Sequence, residues 1–159
     1  MAKSFKFDPN RRCKKVVDWP APDRDLWMAA LLPGDVLDDG GARARHSAGS
    51  NHNIAKGFGR YLSWLENQGM LDILHGPADR IVPCHVRDFV VDLEKAGVAT
   101  GTVLNYLVAL QVIAKISDAR RDWYWINRIA SSVRARHKPA WEKRTVWFRF
   151  VSSTISASI

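Results

Sequence analysis

The chain has little of what most catalytic and secretory classes require. It holds two cysteines, Cys13 and Cys84, which stand alone with no Cys-x-x-Cys spacing, so the pattern predicts reduced thiols rather than a disulfide framework or a zinc knuckle. No uninterrupted run of 18 apolar residues occurs, and no membrane span is predicted from the sequence. The opening stretch MAKSFKFDPNRRCKKVVDW lacks the continuous apolar segment of a secretory leader, which sets the expectation of a cytoplasmic, nucleoid-associated chain. The five histidines include no metal-ligand pair, and they are read as structural or surface groups. There is no Gly-x-Ser-x-Gly elbow, no phosphate-cradling glycine loop ending in Gly-Lys-Ser/Thr and no His-Glu-x-x-His. Cys84 near a helix start is read as a packing residue, and the carboxylates as solvated surface groups. No cofactor, metal or small-molecule substrate is implied.

What is present is charge at the two ends and seven tryptophans in 159 residues. Net charge is +2 over residues 1–46, −1 over 47–118 and +7 over 119–159, for a total of +8. A near-neutral centre with basic flanks suits a polyanion, nucleic acid before a membrane surface, and is equally compatible with tails kept soluble by charge. The tryptophans predict aromatic anchors between helices, because each buries a large area with few rotatable bonds.

Hydrophobic periodicity predicts an all-α fold, a compact bundle of four to five helices over residues 23–138. A basic flexible arm (1–22), a linker (139–144) and an irregular tail (145–159) flank it. Asp23 is expected to cap a first short helix that stops at Pro33-Gly34. A second helix from about Ser50 to Gln68 places Ile54, Phe58, Tyr61 and Leu65 on one stripe, with Asn53, Lys56, Arg60, Ser63 and Asn67 opposite. After a loop at Gly76-Pro77, Pro83 opens a third helix with Val86, Phe89, Val90 and Leu93 inward. The fourth, from Thr100, is apolar around most of its circumference; only Thr102, Asn105 and Lys115, with Gln111 nearby, mark an exposed strip. A fifth, about Trp123 to His137, puts Ile126, Ile129, Ala130 and Val133 inside and Arg128, Arg134 and Arg136 outside; Pro139 ends it. In the tail, Val146, Phe148 and Phe150 alternate with Trp147, Arg149 and Val151 as in a short strand.

Three segments in this order, GFGRYLSWLENQGMLD, ADRIVPCHVRDFVVDLEKAGVATGTVLNYLVALQVIAKI and RDWYWINRIASSVRARHKPAWEKR, resemble the N-terminal core-binding, or SAM-like, domain of tyrosine recombinases of the phage integrase family. The resemblance covers residues 23–144 and rests on Tyr61-Leu62-x-Trp64-Leu65 before Gly69, Ala99-Thr100-x-Thr102-Val103, and the Arg121-Asp122-Trp123 turn. It implies a domain that clamps one side of double-stranded DNA with its second and fourth helices, with recombinase protomers as a further class of partner. By position, the contacts it implies are Ser50, Asn51, Asn53, Lys56 and Arg60 on the second helix, and Thr100, Thr102, Asn105 and Tyr106 on the fourth. Lys56 and Arg60 would meet phosphate, and Asn53 and Asn105 carry the donor and acceptor pair that reads an adenine edge. Arg43, Arg45, Arg134, Arg136, Lys138, Lys143 and Arg144 would add phosphate contacts where the chain enters and leaves.

The chain departs from that family after Arg144. The catalytic domain of such an enzyme needs an arginine, a lysine, a His-x-x-Arg element, a second His or Trp and a nucleophilic tyrosine. The stretch TVWFRFVSSTISASI holds no tyrosine, histidine or lysine. The expectation is therefore a DNA-binding remnant, truncated or frameshifted near residue 145, that is not an enzyme. The alternative expectation is a helical interaction module that docks on an intact recombinase or another chain.

Overall fold

The structure is a computed structural model that describes residues 12–136. The chain is all-α there, with six helices and no strand among the described residues: α1 (Ala21–Leu31), α2 (Ala48–Asn67), α3 (Pro77–Arg80), α4 (Pro83–Lys95), α5 (Thr100–Ser117) and α6 (Tyr124–Arg136). The inferred linker and alternating tail lie outside the described residues, as do Lys138, Lys143 and Arg144.

Local chemistry sets the helix ends. Ser47 caps α2, its hydroxyl accepting from the Ser50 amide at 3.1 Å, so the helix starts two residues before the expected Ser50. Gly69 and Gly97 end α2 and α4 in the left-handed region, at φ 68° and 77°. In each case two amides fold back onto the last turn: Gly69 to Glu66 and Met70 to Leu65, then Gly97 to Glu94 and Val98 to Leu93. Asp122 receives the Tyr124 amide at 2.8 Å and starts α6. Asp23 is not the cap expected of it. Helix α1 begins at Ala21, with Pro20 as its N-cap residue, and Asp23 is buried in the first turn.

The four stripe residues of α2 are all buried, as are Val86, Phe89, Val90 and Leu93 of α4 and Val103, Leu107, Leu110 and Ala114 of α5. Helix α5 packs against each of the other five helices. By length and mean hydropathy it would also be apolar enough to cross a membrane, which is the composition a helix enclosed by neighbours acquires. Its tightest approach is to α2. A Cβ at Gly57 would stand 2.6 Å from Ala109 Cβ and 3.3 Å from the Tyr106 ring, so a glycine is what allows the two backbones to cross here. Aromatic contacts run through the core from Trp27 to Trp19, Phe58, Tyr61, Phe89 and Tyr106.

Residues 12–20, expected to belong to a mobile arm, are docked. Trp19 is buried, packs edge-to-face on Phe58 with ring centroids 5.0 Å apart, and donates its indole N–H to the Lys14 carbonyl at 2.9 Å. The Lys14 amide donates to the Gly59 carbonyl at 3.0 Å. A Cβ at Gly59 would fall 2.2 Å from the Lys14 carbonyl oxygen, so this segment needs a glycine to lie against α2.

Candidate nucleic-acid interface

The exposed half of the surface expected to meet DNA lies at the N-terminal end of α2. His52, Asn53 and Lys56 are exposed. The docked N-terminal segment lies alongside, and together they form a groove of about 320 Å³ lined by Cys13, Lys15, Val16, His52, Ala55 and Lys56. Lys14, at its edge, is held by Glu66. On α5, Asn105 is exposed and Thr100 and Thr102 are half-buried. Gly57 touches Tyr106 and Ala109 where the helices cross, so Lys56 and Asn105 each precede a residue of the crossing. Tyr106 links the two parts. Burial, chiefly, and the neighbouring Cys13 thiol push its hydroxyl above its ordinary pKa, with Arg60 pulling the other way.

Several expected contacts are engaged elsewhere. Arg60 is only 5% exposed. It belongs to the polar stripe by spacing, but the segment crossing at Gly59 covers that part of the helix, and a covered guanidinium is not available to phosphate. Arg43 is buried as well: its Nε donates to Asn51 Oδ1 at 3.0 Å and its Nη2 to Ser50 Oγ at 2.9 Å, while Asn51 Nδ2 donates to the Arg43 carbonyl. Arg43, Ser50 and Asn51 thus fasten the incoming loop to the start of α2 rather than facing a ligand. Arg45 is exposed and paired with Asp39 at 2.9 Å. Arg136 is held by Glu94 at 2.6 Å and by Ser132, whereas Arg134 is exposed.

Lys15 and His52 were not among the expected contacts. Lys15 belongs to the basic run at the start of the chain, and its place beside α2 follows from the anchor four residues on, Trp19, a residue type rarely left in solvent. Tyr61 is fully buried and donates to the Arg80 carbonyl at 2.6 Å, and burial raises its hydroxyl above the ordinary range. Tyr106 is half-buried, and Tyr124 is exposed under the Arg128 guanidinium. No family model, curated protein or solved structure matches the chain.

Proposed function

We propose that this chain is a duplex-DNA-binding module of the kind represented by the core-binding domain of a tyrosine recombinase, binding without strand cleavage. The observation that carries the reading is the groove in which Lys15, Lys56 and His52 converge beside the exposed Asn53, next to the α2–α5 crossing at Gly57 and Tyr106, whose neighbour Asn105 is exposed. Two lysines on one groove neutralise neighbouring phosphates and release condensed counterions, which makes affinity steeply salt-dependent and tolerant of sequence. Exposed asparagines beside them can hydrogen-bond a base edge once phosphate contacts have set the register.

Fluorescence anisotropy of the full chain with a mixed-sequence duplex, titrated over a salt series, tests this. Log K is expected to fall linearly with log salt, and Lys15→Ala and Lys56→Ala each make the slope shallower by about 0.9. Lys95→Ala, an exposed position at the end of α4, leaves the slope unchanged. Absence of binding at low salt, or an equal effect of the Lys95 substitution, would refute the reading.

A further inference from the structure

Away from the groove beside α2, the chain carries two features of complementary chemistry. The first is the loop between α1 and α2. Val36 and Leu37 are 101% and 97% exposed at its tip, in the run Asp35-Val36-Leu37-Asp38-Asp39. It is a built loop. Asp35 Oδ1 accepts the Leu37 and Asp38 amides at 2.7 and 2.9 Å, the Asp35 amide donates to the Asp38 carbonyl at 2.8 Å, and a bridge between Pro33 and Gly40 closes the base. Two aliphatic side chains are therefore held in water by an ordered backbone, with Asp38 and Asp39 beside them. Among the described residues Asp39 is paired with Arg45, in a highly exposed pair that contributes little and can exchange.

The second is a groove of about 410 Å³ between α4 and α6. Val90, Val91 and Ile129 provide its apolar lining, and Arg87 and Arg128 its charge. The Glu94–Arg136 pair spans the same two helices. Arg87 and Arg128 form no ion pair among the described residues; Arg128 lies over the Tyr124 ring, 5.9 Å from its centroid. An aliphatic strip flanked by two guanidiniums without a carboxylate partner among the described residues does not suit a hydrated phosphate backbone. It suits a short apolar segment with carboxylates beside it.

We propose that the α4–α6 groove binds the α1–α2 loop of a second copy of this chain, Val36 and Leu37 covering Val90, Val91 and Ile129, and Asp38 and Asp39 meeting Arg87 and Arg128. The loop's exposure shows that it does not fill the groove of its own chain. Because loop and groove are different surfaces and each copy offers one of each, copies associate either head-to-tail into rings or chains or through two reciprocal contacts in a two-fold dimer. The loop is already ordered, so binding carries little further loss of chain entropy. Two aliphatic side chains and two ion pairs make a small interface, with a dissociation constant on the order of 10⁻⁴ M. The contact is independent of the DNA reading; copies held on one duplex would meet at a higher effective concentration.

Sedimentation velocity of the full chain without DNA, over a concentration series reaching about ten times that constant, tests it. The wild-type chain is expected to show mass-dependent growth. Leu37→Lys, which turns a like charge towards Arg87 and Arg128, and Val91→Glu, which turns one towards Asp38 and Asp39, both at exposed positions, each weaken association at least ~10-fold. The decisive arm is the mixture. Leu37→Lys retains an intact groove and Val91→Glu an intact loop, so an equimolar mixture restores a 1:1 dimer and nothing larger. A wild-type chain that stays monomeric throughout overturns the proposal. So does association that both variants retain, which would place another occupant or another surface at work, and so does a mixture that remains monomeric.

Discussion

Arg80→Ala lowers folding stability by about 3–5 kcal/mol at neutral pH, because it strands a carboxylate in the core. Asp23 and Arg80 are 1% and 4% exposed and joined by a direct hydrogen bond from Arg80 Nη1 to Asp23 Oδ1. Arg80 also donates through Nε to the Asp72 carbonyl at 2.8 Å, tying α1, α3 and the loop after α2 together. Asp23 Oδ2, also buried, accepts no hydrogen bond among the described residues. Burial outweighs the attraction of Arg80, and the Asp23 carboxyl is pushed up to about 6.

The sign of the pH dependence follows. A carboxyl whose folded pKa exceeds its unfolded value gives its full stabilisation below about pH 4, and loses it as pH rises through about 6. Without Arg80 the folded pKa rises further, so the deficit of Arg80→Ala relative to wild type widens between pH 5 and pH 8. Replacing both partners, Asp23→Asn with Arg80→Met, removes the uncompensated charge and recovers most of the loss. Urea unfolding of the wild type and the two variants at pH 5 and pH 8 measures all of this. A deficit below about 1 kcal/mol at neutral pH, or one that shrinks as pH rises, would sink the account.

The same pair shows where reading the sequence stops. Helices α2, α4 and α5 were legible because their apolar residues recur at i, i+4, i+7, and every residue of those stripes is buried. Helix α3 was not, since four residues cannot display a period. Asp23 looked like a cap because it stands at the start of a helix; its actual partner is 57 positions away and leaves no local trace. Arg60 fits the polar stripe of α2 by spacing, yet the chain segment laid over Gly59 covers that turn. Arg43 similarly closes on Ser50 and Asn51 across a loop. Asn53, Lys56 and Asn105 are exposed as the periodicity required, with no other described segment laid over them. Periodicity reports which face of a helix turns inward, and is silent about what a non-helical segment covers on the outer face.

That covering segment makes Trp19→Ala the second large effect, a loss of about 3–5 kcal/mol. Trp19 fills the space between Trp27 and Phe58 and its indole N–H is satisfied by the Lys14 carbonyl, so the one side chain supplies core packing and holds the backbone next to Lys15. Truncation leaves a cavity and frees the Lys14 carbonyl, and the remaining attachments, chiefly the Lys14 amide to Gly59 and the Lys14–Glu66 pair at the surface, are too weak to keep residues 12–18 in place. Trp19→Phe keeps most of the ring contact and loses the hydrogen bond, at a cost of about 1–2 kcal/mol. The two variants separate anchoring from charge, since neither removes a lysine. If the groove beside α2 is where phosphate binds, Trp19→Ala measured under conditions where it remains folded shows a salt slope shallower by about 0.9, as though Lys15 had been deleted, and Trp19→Phe keeps the wild-type slope. A Trp19→Ala protein that is destabilised as expected but retains the full slope would mean that the lysines act from a loose tail, and that docking of residues 12–18 serves the core alone.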